Sequence, residues 1–223
     1  MRRQRSLSVK EKNMTLGEIK IEALKLMYTN GAHDIAPDVL DDLEKNEDYS
    51  DYLINMTGSL NRCFADLENK RVLPQKKYQL PQKDEECGFL KYEFDDIDKN
   101  FFDVDRVVYS NAYGEYEPKA DYHTEGRTLV LRGINFEDEM YTVLYRPRLK
   151  RVEPWTEDDT ELDIPDNIAA FIPYFIKGDL YVADEPSEAE AAKLIYEAAM
   201  ASLKENYSHY TSSVLTSYDM EAY

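Results

Sequence analysis

The sequence predicts an α+β fold: a helical bundle formed by N- and C-terminal helices, an inserted antiparallel β domain, and extended termini. Two changes of hydrophobic period carry that prediction, from helical spacing to strand alternation near Leu73 and back to helical spacing near Pro165. Neither helical stretch carries enough apolar faces to bury itself, so each needs the other. The order is α, then β, then α, with no alternating βαβ period and no internal repeat. The predicted organisation is a flexible basic arm at 1–14, a bundle from 15–72 and 165–204, an inserted β domain with linkers at 73–164, and an extended tail at 205–223.

The first helix starts at Thr15-Leu16-Gly17-Glu18, where a cap hydroxyl and an acid three residues on can satisfy backbone N–H groups reciprocally. Leu16, Ile19, Ala23 and Met27 follow at helical spacing, and Asn30-Gly31 ends the run. Pro37 suits the first turn of a short helix carrying Leu40 and Leu43. A longer helix is predicted from Ser50 or Asp51, with Leu53, Met56, Leu60, Cys63, Phe64 and Leu67 on one face.

At Leu73 the composition changes. Pro74 and Pro81 flank Lys76, Lys77 and Tyr78, and residues 69–83 hold five basic and no acidic side chains. Alternation then predicts about five strands, at Phe89–Phe94, Val104–Ser110, Glu115–Pro118, Thr128–Arg132 and Met140–Tyr145, punctuated by Gly114, Gly126 and Gly133. Pro147 and Pro154 close this module, and the acidic run Glu157-Asp158-Asp159-Thr160-Glu161 leads out of it. Ile168, Phe171, Phe175 and Ile176 restore helical spacing as far as Leu180, with Pro173 bending the segment or beginning it anew. A last helix from Pro186-Ser187-Glu188 carries Ala189, Ala192, Ile195, Ala199 and Leu203, and a polar, Tyr-dotted tail follows Glu205.

The chain has 223 residues, 45 acidic and 27 basic, for a formal charge of −18. That excess argues against a general nucleic-acid coat, whose affinity comes from clustered Lys and Arg. The charge is uneven: residues 1–14 carry a local +4 from Arg2, Arg3, Arg5, Lys10 and Lys12 against Glu11. No run approaches the ~20 apolar residues that span a bilayer, and no apolar signal core follows the first basic residues, so an intracellularly made, soluble protein without membrane partners is expected.

Catalytic signatures are missing. There is no phosphate-binding loop, dinucleotide fingerprint, zinc-protease helix or serine elbow, and His33, His123 and His209 are scattered along the chain as ordinary polar residues. Cys63 and Cys87 make neither a disulfide framework nor a Cys-x-x-Cys metal site. Asp96-Ile97-Asp98-Lys99-Asn100 places oxygens at the first, third and fifth positions of an EF-hand-like loop, but Phe101 stands where Gly permits the turn and Val107 where a bidentate Glu closes the shell. No metal and no cofactor are expected. The 18 tyrosines against a single Trp155 suit interfaces, because Tyr gives a large contact area with a polar tip at low entropic cost.

One stretch has a family likeness. Val143-Leu144-Tyr145-Arg146-Pro147 closes a strand, and after the acidic linker come Leu162-Asp163-Ile164-Pro165, the apolar run Ile168 to Tyr181, the break Asp184-Glu185-Pro186, and Glu188-Ala189 leading to Lys193-Leu194-Ile195-Tyr196-Glu197. This succession resembles the head-to-tail adaptor proteins of tailed bacteriophages, the ring-forming family that includes the tail tubular adaptors of short-tailed phages. The likeness in organisation covers nearly the whole chain, and residue-level similarity about a quarter of it. The Arg-rich start and the Tyr-bearing end exceed the family's minimal pattern.

The resemblance implies a structural protein and not an enzyme: a homo-oligomer, a dodecameric ring below the portal, joining capsid to tail and lining the DNA channel. Its implied partners are the portal protein and a downstream tail or nozzle protein, with DNA passing through without specific binding. The implied location is the neck of the virion, after synthesis in the host cytoplasm. Arg2, Arg3 and Arg5 in the arm and Tyr207, Tyr210, Tyr218 and Tyr223 in the tail are the expected contacts to portal or neighbouring subunit. These segments lack an apolar face to bury, yet carry residue types that anchor interfaces. The alternatives are a carbohydrate-active hydrolase with acidic residues in the β domain and a regulatory binding domain of the host cell.

Overall fold

The computed structural model describes residues 13–28, 35, 40, 47–83, 88–111, 114–116, 122–132 and 140–215. It is an α+β protein whose chain divides into two compact units, one of residues 1–64 with 151–223 and one of residues 65–150.

The first unit is helical among its described residues. Thr15 caps α1 (Leu16–Met27) as its spacing predicts: the Thr15 hydroxyl accepts the Glu18 N–H at 3.2 Å and the Glu18 carboxylate accepts the Thr15 N–H at 2.8 Å. Leu16, Ile19, Leu24 and Met27 are buried, each such side chain contributing roughly 1.5 to 3 kcal/mol by burial. The linker 157–161 covers the N-terminus of α1. The Thr160 carbonyl accepts Leu16 N–H at 3.0 Å and the Asp158 carbonyl accepts Gly17 N–H at 2.8 Å, so two of the N–H groups a helix start leaves open are satisfied from 140 residues away. Gly17 leaves room for this approach: a Cβ there would lie 3.0 Å from the Asp158 carbonyl oxygen, tighter than an ordinary contact.

The C-terminus of α1 is closed from the same half of the chain. Single-turn α4 (Asp166–Ala169) precedes α5 (Ile172–Leu180), and Pro173 sits in the first turn of α5, so it begins the helix anew. Lys177 donates to the Leu26 carbonyl at 2.7 Å and to Glu188 at 2.6 Å, while Tyr181 donates its hydroxyl to the Met27 carbonyl at 2.8 Å. Both ends of α1 are thereby held by residues beyond 150, which is how the two ends of the sequence come to share one unit. α6 (Pro186–Leu215) packs closely on α5 at Gly178, where a Cβ would fall 2.6 Å from Lys193 Cγ.

Helix α2 (Glu47–Lys70) buries the predicted face, with Leu53, Met56, Leu60, Cys63, Phe64 and Leu67 all inaccessible. Residues 47–64 belong to the helical unit and 65–70 to the other. Within the helical unit Asn61 pairs its amide with Val152, donating at 2.8 Å to the carbonyl and accepting the N–H at 2.9 Å.

The second unit is an antiparallel β module of two sheets. One orders β1 (Lys76–Gln79), β7 (Met140–Pro147), β3 (Phe101–Asn111) and β4 (Gly114–Tyr116); the other orders β2 (Phe89–Glu93), β6 (Thr128–Arg132) and β5 (Tyr122–Glu125). The registers centre on Val107 opposite Val143 and Tyr92 opposite Leu129. Phe101, Val107, Val143 and Tyr145 of one sheet share a core with Leu90, Tyr92, Leu129 and Leu131 of the other and with Phe94 and Ile97 of the single-turn α3 (Phe94–Ile97). Phe101 stacks on Phe94 at 4.2 Å and on Tyr145 at 4.6 Å between ring centroids.

Several elements differ from the sequence-based expectation. Residues 76–79 form an edge strand where a basic linker is expected, because β7 supplies a ladder that no local pattern shows. β5 is a further strand, and the third predicted strand begins at Gly114 instead of Glu115. The linker 151–164 belongs to the helical unit and not to the insertion, since its carbonyls cap α1. Residues 205–215 continue α6, a correction to the extended tail; nothing among residues 187–223 is Gly or Pro, so no breaker ends the helix at 204. The short helix expected after Pro37 falls outside the described residues, Leu40 apart.

Candidate functional site

The expected attachment residues are placed only in part. Arg2, Arg3, Arg5, Tyr218 and Tyr223 lie outside the described residues, and Tyr207 and Tyr210 fall on the last turns of α6. The basic arm as far as Lys12, the tail beyond Leu215, His33 and Cys87 likewise lie outside them.

The acidic turn at 95–100 is used internally. Asp98 accepts the Asn100 N–H at 2.8 Å on one oxygen and the Tyr145 hydroxyl at 2.8 Å on the other. Burial alone would raise the Asp98 carboxyl, but these two bonds and the nearby Lys76 charge outweigh it and hold the group below the ordinary carboxylate range. Asp95 pairs with Arg127 at 2.6 Å. Among the described residues no group of three or more His, Cys, Asp or Glu side chains converges as a metal site. His123 pairs with Glu125 at 3.0 Å.

A half-open cleft of about 210 Å3 in the helical unit is lined by Met14, Glu22, Leu26, Ala170, Pro173 and Tyr174. Its carboxylate, Glu22, is paired with Lys25 at 2.8 Å. The cleft is small and mostly apolar.

The most distinctive surface is on α6. Its inward stripe, Ala189, Ala192, Tyr196 and Met200, is buried, and Tyr196 meets Phe175 of α5 edge-on at 5.1 Å. At about 100° per residue the opposite side carries Ala191, Leu194, Ile195, Ala198, Ala201 and Ser202, all exposed, with Leu194 65% and Ile195 46% accessible. The helix therefore has two apolar sides. Here the sequence reading of Ile195 as a core residue is corrected: the core stripe passes through Tyr196, one residue on, which turns Ile195 outward. The i, i+3, i+4, i+7 spacing of Ala191, Leu194, Ile195 and Ala198 was the available signal. Trp155 is 78% exposed on the turn held by Thr156, whose hydroxyl accepts the Glu153 N–H at 2.9 Å.

A tyrosine cluster stands at the C-terminal end of α1. Tyr28 meets Tyr49 and Tyr52 edge-on at 4.6 and 6.0 Å, Tyr52 lies against Tyr181 at 5.8 Å, and the Tyr52 hydroxyl donates to Asp184. Burial first, then the Asp184 bond, pushes the Tyr52 phenol well above its ordinary range. Tyr52 ties α2 to the residue that ends α5, and its raised phenol stays protonated.

Among the described residues no helix is long and apolar enough to cross a membrane. No protein-family model matches the chain, and no curated protein matches it either.

Proposed function

We propose that this chain is a structural head-to-tail adaptor of a tailed bacteriophage, assembling as a dodecameric ring below the portal, joining capsid to tail and lining the DNA channel. The observation that carries the reading is the insertion topology: both ends of the sequence form one helical unit, and a two-sheet antiparallel module is inserted between them. Each motif behind the family likeness also has a structural place. Leu162 and Ile164 are buried, Pro165 precedes α4, the apolar run forms α4 and α5, and Pro186 opens α6.

Ring closure needs heterologous contacts between neighbours, and a net charge of −18 suits a conduit wall that must not retain phosphates. Arg2, Arg3, Arg5, Tyr207, Tyr210, Tyr218 and Tyr223 are the proposed contacts to portal or neighbour, with a tail or nozzle protein on the far side. The test is native mass measured with and without a candidate portal. Twelve copies per portal ring are expected, and deletion of residues 206–223 should weaken that association while leaving the melting transition in place. A chain that ignores the portal, or one that cleaves polysaccharide, overturns the reading.

A further inference from the structure

We propose that the outward side of α6 is a self-association surface, which in the free protein pairs antiparallel with the same side of α6 in a second copy. This goes beyond the adaptor reading and does not rest on it.

The stripe begins the argument. Leu194 and Ile195 are large apolar side chains 65% and 46% exposed, set among Ala191, Ala198 and Ala201, which are small enough for another helix backbone to approach closely. They follow the spacing of a helix-pairing seam, with Ala191 and Ala198 seven residues apart and Leu194 and Ala201 likewise.

The flanking charges choose the occupant. One edge of the stripe carries Glu190, Glu197 and Lys204, again at seven-residue intervals and all exposed. In an antiparallel pair this edge lies along the same edge of the second copy, with the sequence reversed. Setting Leu194 opposite Ala198 and Ala191 opposite Ala201 of the second copy brings Ile195 beside its own counterpart. The same register puts Glu190 opposite Lys204 and Lys204 opposite Glu190, two attractive pairs related by the two-fold axis. Only Glu197 meets its like, and Lys193 of each helix lies four residues away on the same flank. A parallel pair would instead set Glu190 against Ile195 and Glu197 against Ser202, with no complementary charge. The pattern thus fits a reversed copy of itself.

Sedimentation equilibrium of the full chain without portal tests this. A reversible dimer is expected, weak because the seam spans only about 18 Å and is largely alanine. Leu194→Glu should abolish it, with unchanged far-ultraviolet dichroism because the position is exposed. Glu190→Lys and Lys204→Glu should each weaken it roughly tenfold, because each reverses two pairs at once. The double variant Glu190→Lys/Lys204→Glu should restore it to within about twofold, since the reversed pairs are again complementary. A wild-type chain that stays monomeric at about 200 μM, far above the micromolar range of weak complexes, overturns the proposal. So does an oligomer indifferent to Leu194→Glu, or one the double variant fails to restore. None of these readings involves the portal, so the dimer and the ring can fail separately.

Discussion

The Tyr145 hydroxyl donates to the Asp98 carboxylate at 2.8 Å, linking β7 to the turn after α3. Burial first and this bond second push the Tyr145 phenol well above its ordinary range, while Asp98 is held below its own. The two signs set two pH limbs. The lowered Asp98 contributes stability present above the unfolded carboxylate pKa of about 3.9 and lost as pH falls through the folded value. The raised Tyr145 contributes stability present below about pH 10 and lost as pH rises toward the folded value. Tyr145→Phe should cost roughly 1.5 kcal/mol near neutrality, the low end for a bond to a charged acceptor because Asp98 is partly wet. It should also move the Asp98 titration, followed by NMR, upward. An unmoved titration would show that the bond does not tune the acid.

The same relationship bears on calcium. With both Asp98 oxygens occupied by Asn100 and Tyr145, the EF-hand-like spacing has lost its third-position ligand to the fold. Calorimetry should show no micromolar calcium binding; heat that Asp98→Ala abolishes would contradict this.

What the sequence shows here depends on how far apart the interacting residues are. The α2 face is legible because a helix encodes its burial within a few residues, and Leu53 to Leu67 repeat at the expected spacing. The β1 strand is not, since Lys76 to Gln79 has no apolar alternation and gains its structure from Tyr145 to Thr142, more than sixty residues later. The capping of α1 by Asp158 and Lys177 is hidden for the same reason. α6 misleads in a different way: two apolar sides blur the single-stripe signal, so Ile195 reads as core. The proposed contacts in the tyrosine-rich tail rest on composition alone, while the outward stripe of α6 required knowing which side α5 covers.

Lys177 is 9% exposed and holds both the Leu26 carbonyl and Glu188. Lys177→Met keeps the stem's volume but leaves the carbonyl and the carboxylate without the ammonium. A loss of about 2 kcal/mol is expected, hence a melting point roughly 4 to 8 °C lower for a chain of this size. Thermal unfolding followed by circular dichroism checks it; an unchanged midpoint would mean that water replaces the ammonium at no cost.

Gly178→Ala sets helix propensity against packing. Alanine would favour α5 by about 1 kcal/mol, but its Cβ falls 2.6 Å from Lys193 Cγ and 3.3 Å from the Ala189 carbonyl oxygen. The lysine stem could rotate, whereas the α6 backbone could not without separating the helices. Overpacking of this kind costs roughly 1 to 3 kcal/mol, so the variant should be destabilised on balance. Denaturant titration reads the sign, and a stabilised variant would show that α5 and α6 are less tightly held at this point.

Arg146 offers the sharpest test in the β unit. Its Nη1 donates to the Arg71 and Leu73 carbonyls at 2.6 and 2.8 Å, and its Nε and Nη2 donate to Asp105 at 3.3 and 3.1 Å. One guanidinium thus closes the carbonyl end of α2 and pairs a carboxylate, the side chains being 14% and 19% exposed. A lysine can put its ammonium on one of these acceptors but lacks the planar fork that reaches all of them. Arg146→Lys should therefore lose roughly 2 kcal/mol despite keeping its charge, and Arg146→Met more, since the part-buried Asp105 would lose both guanidinium bonds and keep the Gln75 amide. Arg71 offers the contrast: it ends α2 at φ 58° and its ion pair with Asp103 is largely exposed. Arg71→Gly relieves left-handed strain of about 1 to 2 kcal/mol and gives up a surface pair worth less than about 1 kcal/mol, partly offset by glycine's greater freedom in the unfolded chain. Chemical denaturation should thus rank Arg71→Gly at or slightly above wild type, Arg146→Lys below it and Arg146→Met lowest. An Arg146→Lys variant as stable as wild type would show that charge alone, and not the fork, holds the end of α2.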